Sequence, residues 1–166
     1  PVGKEPHHLM ATPDGKELLV ANAASNDLVF LDPKTGDILR RVPDISDPYQ
    51  IGYSPDKKWF LSASNRLDRV DIYHGADFKL AKRLPTGKVP SHIAFSADSK
   101  LAFVTIQESN EFVAIDQDHP RTLFVLGGDG TLGRDLFLRL LYGGQVSLSI
   151  ALGHDASKFD PDGPLP

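Results

Sequence analysis

The chain has 166 residues, 40% of them hydrophobic and 24% charged, with a formal net charge of −4 from 18 basic and 22 acidic side chains. This is an ordinary globular composition with room for one substantial core and little for a second independent domain. It excludes the basic surface of a nucleic-acid binder, and no apolar run approaches the roughly 18–20 residues that cross a bilayer. With no cysteine, disulfides, thiolate metal sites and cysteine nucleophiles are excluded as well.

The sequence opens on Pro1 with neither an initiator Met nor a signal peptide, which reads as a processed or trimmed product. From there a repeat governs the pattern. "PHHLMATPDGK" begins at Pro6, "PYQIGYSPDKK" at Pro48 and "PSHIAFSADSK" at Pro90, a period of 42 residues without insertion. The first copy predicts four short strands: His8–Thr12, "ELLVAN" at 17–22, "LVFLD" at 28–32 and "ILRRV" at 38–42. The second predicts "QIGYS", "WFLSAS", "RVDIY" and "LAKRL", and the third "HIAFS", "LAFVTI", "FVAID" and "TLFVL". Each run is rich in β-branched and aromatic residues and is bounded by Asn, Asp, Gly or Pro. The recurring Asp14, Asp56 and Asp98 read as turn residues whose carboxylates hold backbone N–H groups two residues on, not as catalytic acids.

Four-stranded antiparallel units of about 40–45 residues, repeated, predict an all-β fold of β-propeller blades. "PHHLMATPDGKELLVANAASNDLVFLDPKTGDIL" resembles the YVTN family of seven- or eight-bladed propellers, which includes the haem-binding propeller of cytochrome cd-type nitrite reductases. The resemblance runs over residues 3–117. It implies a periplasmic or secreted protein, sometimes tied to haem or electron transfer. Haem or a metal as cofactor follows from the resemblance alone, and the missing cysteines forbid covalent haem attachment.

The register divides the chain into blades at about 6–47, 48–89 and 90–131. The turn signature expected at 139–141 is replaced by Arg139-Leu140-Leu141. "DLFLRLLY", Gly143-Gly144 and "QVSLSIAL" then suggest a hairpin or divergent fourth blade over 132–153, followed by an irregular tail at 154–166. Three blades and a partial fourth make half of a ring, so self-association or further blades are the expected partners.

The chemical candidates follow from the register. His8, Gln50 and His92 occupy one place in successive blades, at the start of the strand that lines a propeller's channel, and would ring its mouth. His7 adds a third imidazole. The same position also suits a polar side chain that bonds a neighbouring blade's backbone. "GGDGT", Gly127, Gly128, Asp129, Gly130 and Thr131, resembles the glycine-rich segment of NAD and diacylglycerol kinases, which implies a nucleotide site with Asp129 as catalytic acid. The 42-residue register instead makes these residues the link out of the third blade. "FDPDG" at 159–163 has acidic spacing without a full calcium loop, and no Gly-x-Ser-x-Gly elbow anchors a hydrolase. The expected function is non-catalytic binding of a small ligand, cofactor or protein at the channel mouth. The alternatives are a nucleotide-binding kinase-like site and a pure self-assembly module.

Overall fold

The computed structural model describes residues 1–127, which form three antiparallel four-stranded sheets and one short 3-10 turn, Asn65–Leu67. The first sheet is a meander of β1 (Pro6–Ala11), β2 (Leu18–Asn22), β3 (Asp27–Leu31) and β4 (Ile38–Pro43). The second contains β5 (Gln50–Tyr53), β6 (Trp59–Ser64), β7 (Arg69–His74) and β8 (Leu80–Pro85). The third contains β9 (Pro90–Phe95), β10 (Leu101–Ile106), β11 (Glu111–Asp116) and β12 (Arg121–Gly127). The all-β blade architecture is as expected, and "WFLSAS" and "LAFVTI" match β6 and β10 at both ends. The expectations for the stretch after Gly127, namely the fourth blade or hairpin, the tail, "FDPDG" and most of "GGDGT", lie outside the described residues.

The first turn of each sheet is one device built three times. The hydroxyls of Thr12, Ser54 and Ser96 donate to Oδ1 of Asp14, Asp56 and Asp98 at 2.7, 2.6 and 2.7 Å. The same carboxylate oxygens accept the N–H groups of Lys16, Lys58 and Lys100, each at 3.1 Å. These bonds favour the charged form and hold all three carboxyls below the usual Asp range. The repeated aspartates are therefore turn residues.

Left-handed backbone also recurs at the repeat spacing. Glu5, Asp47 and Val89 have φ of 50, 43 and 62°, and Asn26, Asp68 and Asn110 have φ of 57, 50 and 54°. Gly15 at +70° is followed by Lys57 at 65° and Ser99 at 60°, so the turn keeps its geometry even where glycine is lost.

The core lies between sheets. Leu19, Ala21, Leu28 and Phe30 of the first sheet pack with Ile51, Phe60 and Tyr73 of the second. Trp59, Leu61, Ala63, Val70 and Ile72 of the second pack with Ala102, Val104, Ile106, Val113 and Ile115 of the third. Neighbours along β6 thus go to opposite sides, as a period of two requires, and all six of its residues are buried. A fully buried Phe60 or Ile72 contributes about 1.5–3 kcal/mol through removal from water. Gly52 leaves room for this packing: a Cβ there would stand 2.8 Å from Cε2 of Phe95 in the next sheet, so that ring would have to shift.

Candidate functional site

The first strands of successive sheets, β1, β5 and β9, lie against one another and carry the register-related residues. His8 is half-buried, and its Nδ1 accepts a hydrogen bond from the backbone N–H of Ile51 at 3.1 Å. This is a bond to the neighbouring blade's backbone, the structural use that the register position suits. In the neutral ring Nε2 then carries the proton and can donate to a second partner. Burial, and after it the like charge of His92, pushes the His8 pKa below the ordinary histidine value.

His92 is exposed, its Nδ1 lies 3.0 Å from the Ser91 hydroxyl, and its backbone N–H donates to Thr105 Oγ1 at 3.0 Å. Gln50 is half-buried at the start of β5, paired in register with Ala63. The ring of His7 packs on Tyr49, with centroids 4.4 Å apart and planes at 44°.

Tyr49 is the residue that sequence reasoning missed. The signal was present, since His7, Tyr49 and Ser91 are themselves 42 residues apart. A ladder irregularity between Pro6 and His8 accompanies this neighbouring pair of histidines at the start of β1. The starts of β1, β5 and β9 thus carry two register-related rows, His7–Tyr49–Ser91 and His8–Gln50–His92, with Ser91 buried. Among the described residues, no group of three or more His, Cys, Asp or Glu side chains is placed to hold a metal ion. Gly127 ends β12; Gly128, Asp129, Gly130 and Thr131, on which the nucleotide reading depends, lie outside the described residues.

The family model of YNCE-like β-propellers matches residues 1–124. The chain belongs to the YNCE-like β-propeller family. Its repeats are of the YVTN propeller type, as their sequence resemblance implied. A comparison with curated proteins returns no match. Among solved structures, the propeller is similar to hydrazine synthase of Kuenenia stuttgartiensis, with 23% identity and a TM-score of 0.67, covering 75% of this chain and 36% of that one. It is similar to a putative 6-phosphogluconolactonase of Bacteroides fragilis, with 20% identity and a TM-score of 0.62, covering 75% of this chain and 39% of that one. A dihydro-heme d1 dehydrogenase, NirN, aligns at 15% identity and a TM-score of 0.59, over 73% of this chain and 28% of its own. At these identities the likeness is one of fold, and the propeller spans well under half the length of each of these structures.

Proposed function

We propose that the protein is a non-catalytic binding propeller whose channel mouth, formed by His7, His8, Gln50 and His92 with Tyr49, takes a small ligand or cofactor. The observation that carries this reading is the double row of imidazole, phenol and amide side chains at register-related places, with the Nε2 atoms of His8 and His92 uncommitted. A ring nitrogen of His92 can ligate a metal, the Nε2–H of His8 can donate to an acidic edge, and the His7–Tyr49 ring pair gives a flat surface, a set suited to a planar group that bears a metal. The family resemblance adds a periplasmic or secreted setting and a link to electron transfer.

The test is titration of ferric protoporphyrin IX, followed by absorption, and of Zn²⁺, followed by calorimetry. Wild type is compared with His8→Ala/His92→Ala. Saturable binding to wild type that weakens at least tenfold in the double variant supports the reading. Identical responses of the two proteins sink it. His92→Gln, at an exposed position, provides the same comparison without disturbing the His8–Ile51 bond.

One further observation favours assembly of more blades alongside this role. Leu9 of β1 is 57% exposed, whereas its register partner Ile51 is 2% exposed because the first sheet covers it. On that side of the first sheet Val20, Val29 and Leu31 are already buried with Val2 and Leu18 against them, and exposed Leu9 extends this apolar strip to the surface. Solution mass across a concentration series tests it: association that Leu9→Lys abolishes supports blade addition, and a strict monomer at all concentrations contradicts self-association.

A further inference from the structure

Trp59 and Gln117 lie at the same end of the junction between the second and third sheets. Their chain neighbours Lys58 and Asp118 form an ion pair across that junction, with Nζ and Oδ1 3.5 Å apart. Beside it, the backbone N–H of Asp56 donates to Ser99 Oγ at 2.9 Å, again from the second sheet to the third. Gln117 is fully buried and Trp59 is 6% exposed.

Among the described residues, Trp59 Nε1 and both amide atoms of Gln117, Nε2 and Oε1, are buried without a hydrogen-bond partner. The indole ring is flanked on its face. His74 stacks on it at 5.1 Å and 27°, and the Lys58 ammonium stands 5.3 Å over its ring. The first junction has no such polar pair: the register partners of Gln117 are Pro33 and Gly75, and that of Trp59 in the first sheet is Glu17. A whole primary amide and an indole N–H without partners would be costly in a packed interface, and buried polar groups in folded proteins find a partner in protein or in ordered water.

We propose that this end of the second junction is an internal water site. One water accepts from the Trp59 indole N–H and from the Gln117 Nε2–H, and it donates to Gln117 Oε1. It thereby makes three hydrogen bonds, the usual number for a buried water. The water fastens the second blade to the third through a residue, Gln117, that the other blades lack at this place.

The chain has a single tryptophan, so its indole N–H gives one unambiguous NMR signal. On the full chain, magnetisation-transfer spectra should show a cross-peak between that proton and a long-lived water, together with slow hydrogen exchange. Gln117→Leu, which removes both amide atoms, should abolish the cross-peak while leaving the backbone amide spectrum folded. An indole proton that exchanges at the rate of a free indole overturns the proposal. So does a slowly exchanging one without a water cross-peak, which would mean direct bonding to Gln117. Should Gln117→Leu fail to fold, the wild-type spectrum and a high-resolution electron-density map of the junction decide the question. Density for a water within hydrogen-bonding distance of Trp59 Nε1 and Gln117 supports the site, and its absence overturns it.

Discussion

The Nδ1 atom of His8 accepts the backbone N–H of Ile51 at 3.1 Å, so a titrating side chain fastens the first blade to the second. The acceptor exists only while that nitrogen is unprotonated. Burial and the charge of His92 put the folded-state pKa of His8 below its ordinary value of 6.5. The unfolded chain therefore binds more protons at this residue once the pH drops below about 6.5, and its share of stability is lost progressively until the lowered folded pKa is reached. Above the ordinary histidine range the contribution is fully present. Urea unfolding from pH 7.5 to 5 should show wild type losing stability faster than His8→Gln, and parallel curves would contradict this account.

Asp71 stands where the first and third sheets carry Val29 and Val113, yet it is fully buried. Arg69 makes two bonds to its carboxylate at 2.8 and 3.1 Å, Arg83 approaches at 3.6 Å, and the Tyr73 hydroxyl donates at 3.4 Å. Asp71→Val restores the residue of the other blades but strands the arginines. Removing one partner of a buried pair costs up to about 3–5 kcal/mol, and half-exposed Arg83 can turn to water, so a loss of about 2 kcal/mol is expected by denaturant unfolding. Arg83→Met should cost well under 1 kcal/mol by the same measurement, because its ion pair is largely solvated.

Asn26 and Asp68 hold the links between blades. Each accepts one link N–H at its backbone oxygen, from Ile45 and Thr86, and another at its side chain, from Asp47 at 2.8 Å and Val89 at 2.9 Å. Asn26→Gly keeps the left-handed backbone while deleting the side-chain acceptor, so it isolates that bond. A loss of about 1 kcal/mol is expected, with Asn26→Val costing more because a β-branched residue resists φ of 57°.

Val89 already bears that strain, at φ of 62°. A β-branched residue there costs on the order of 1 kcal/mol or more. Val89→Asn should raise the melting temperature by a few degrees, and a lower melting temperature would show that the Val89 side chain contributes packing that outweighs its backbone.

The sheets were legible because the repeat aligned three copies: the Asp turn, the two alternating faces and the strand lengths each appear three times at one spacing. Gly15 announced its left-handed turn, but Lys57 and Ser99 adopt the same φ without a compositional sign, because the Ser–Asp bonds around them fix the loop. The mouth was legible as a row of positions and not as a set of contacts. That His8 spends one nitrogen on Ile51, and that His7 packs on Tyr49, depends on how adjacent blades stack, which periodicity along one chain does not encode. Asp71 was silent for a related reason: its partners Arg69 and Arg83 are alternate or cross-strand neighbours, visible only once β7 and β8 are paired.

The most direct test of the channel mouth is a long-range proton–nitrogen NMR spectrum of the histidine rings during titration with zinc protoporphyrin IX, a planar diamagnetic probe. The account predicts a saturable coordination shift at a ring nitrogen of His92, with Nδ1 of His8 keeping the signature of a neutral acceptor and its Nε2 that of an N–H donor. Histidine rings at the mouth that remain unchanged while His74 or His119 responds would contradict it.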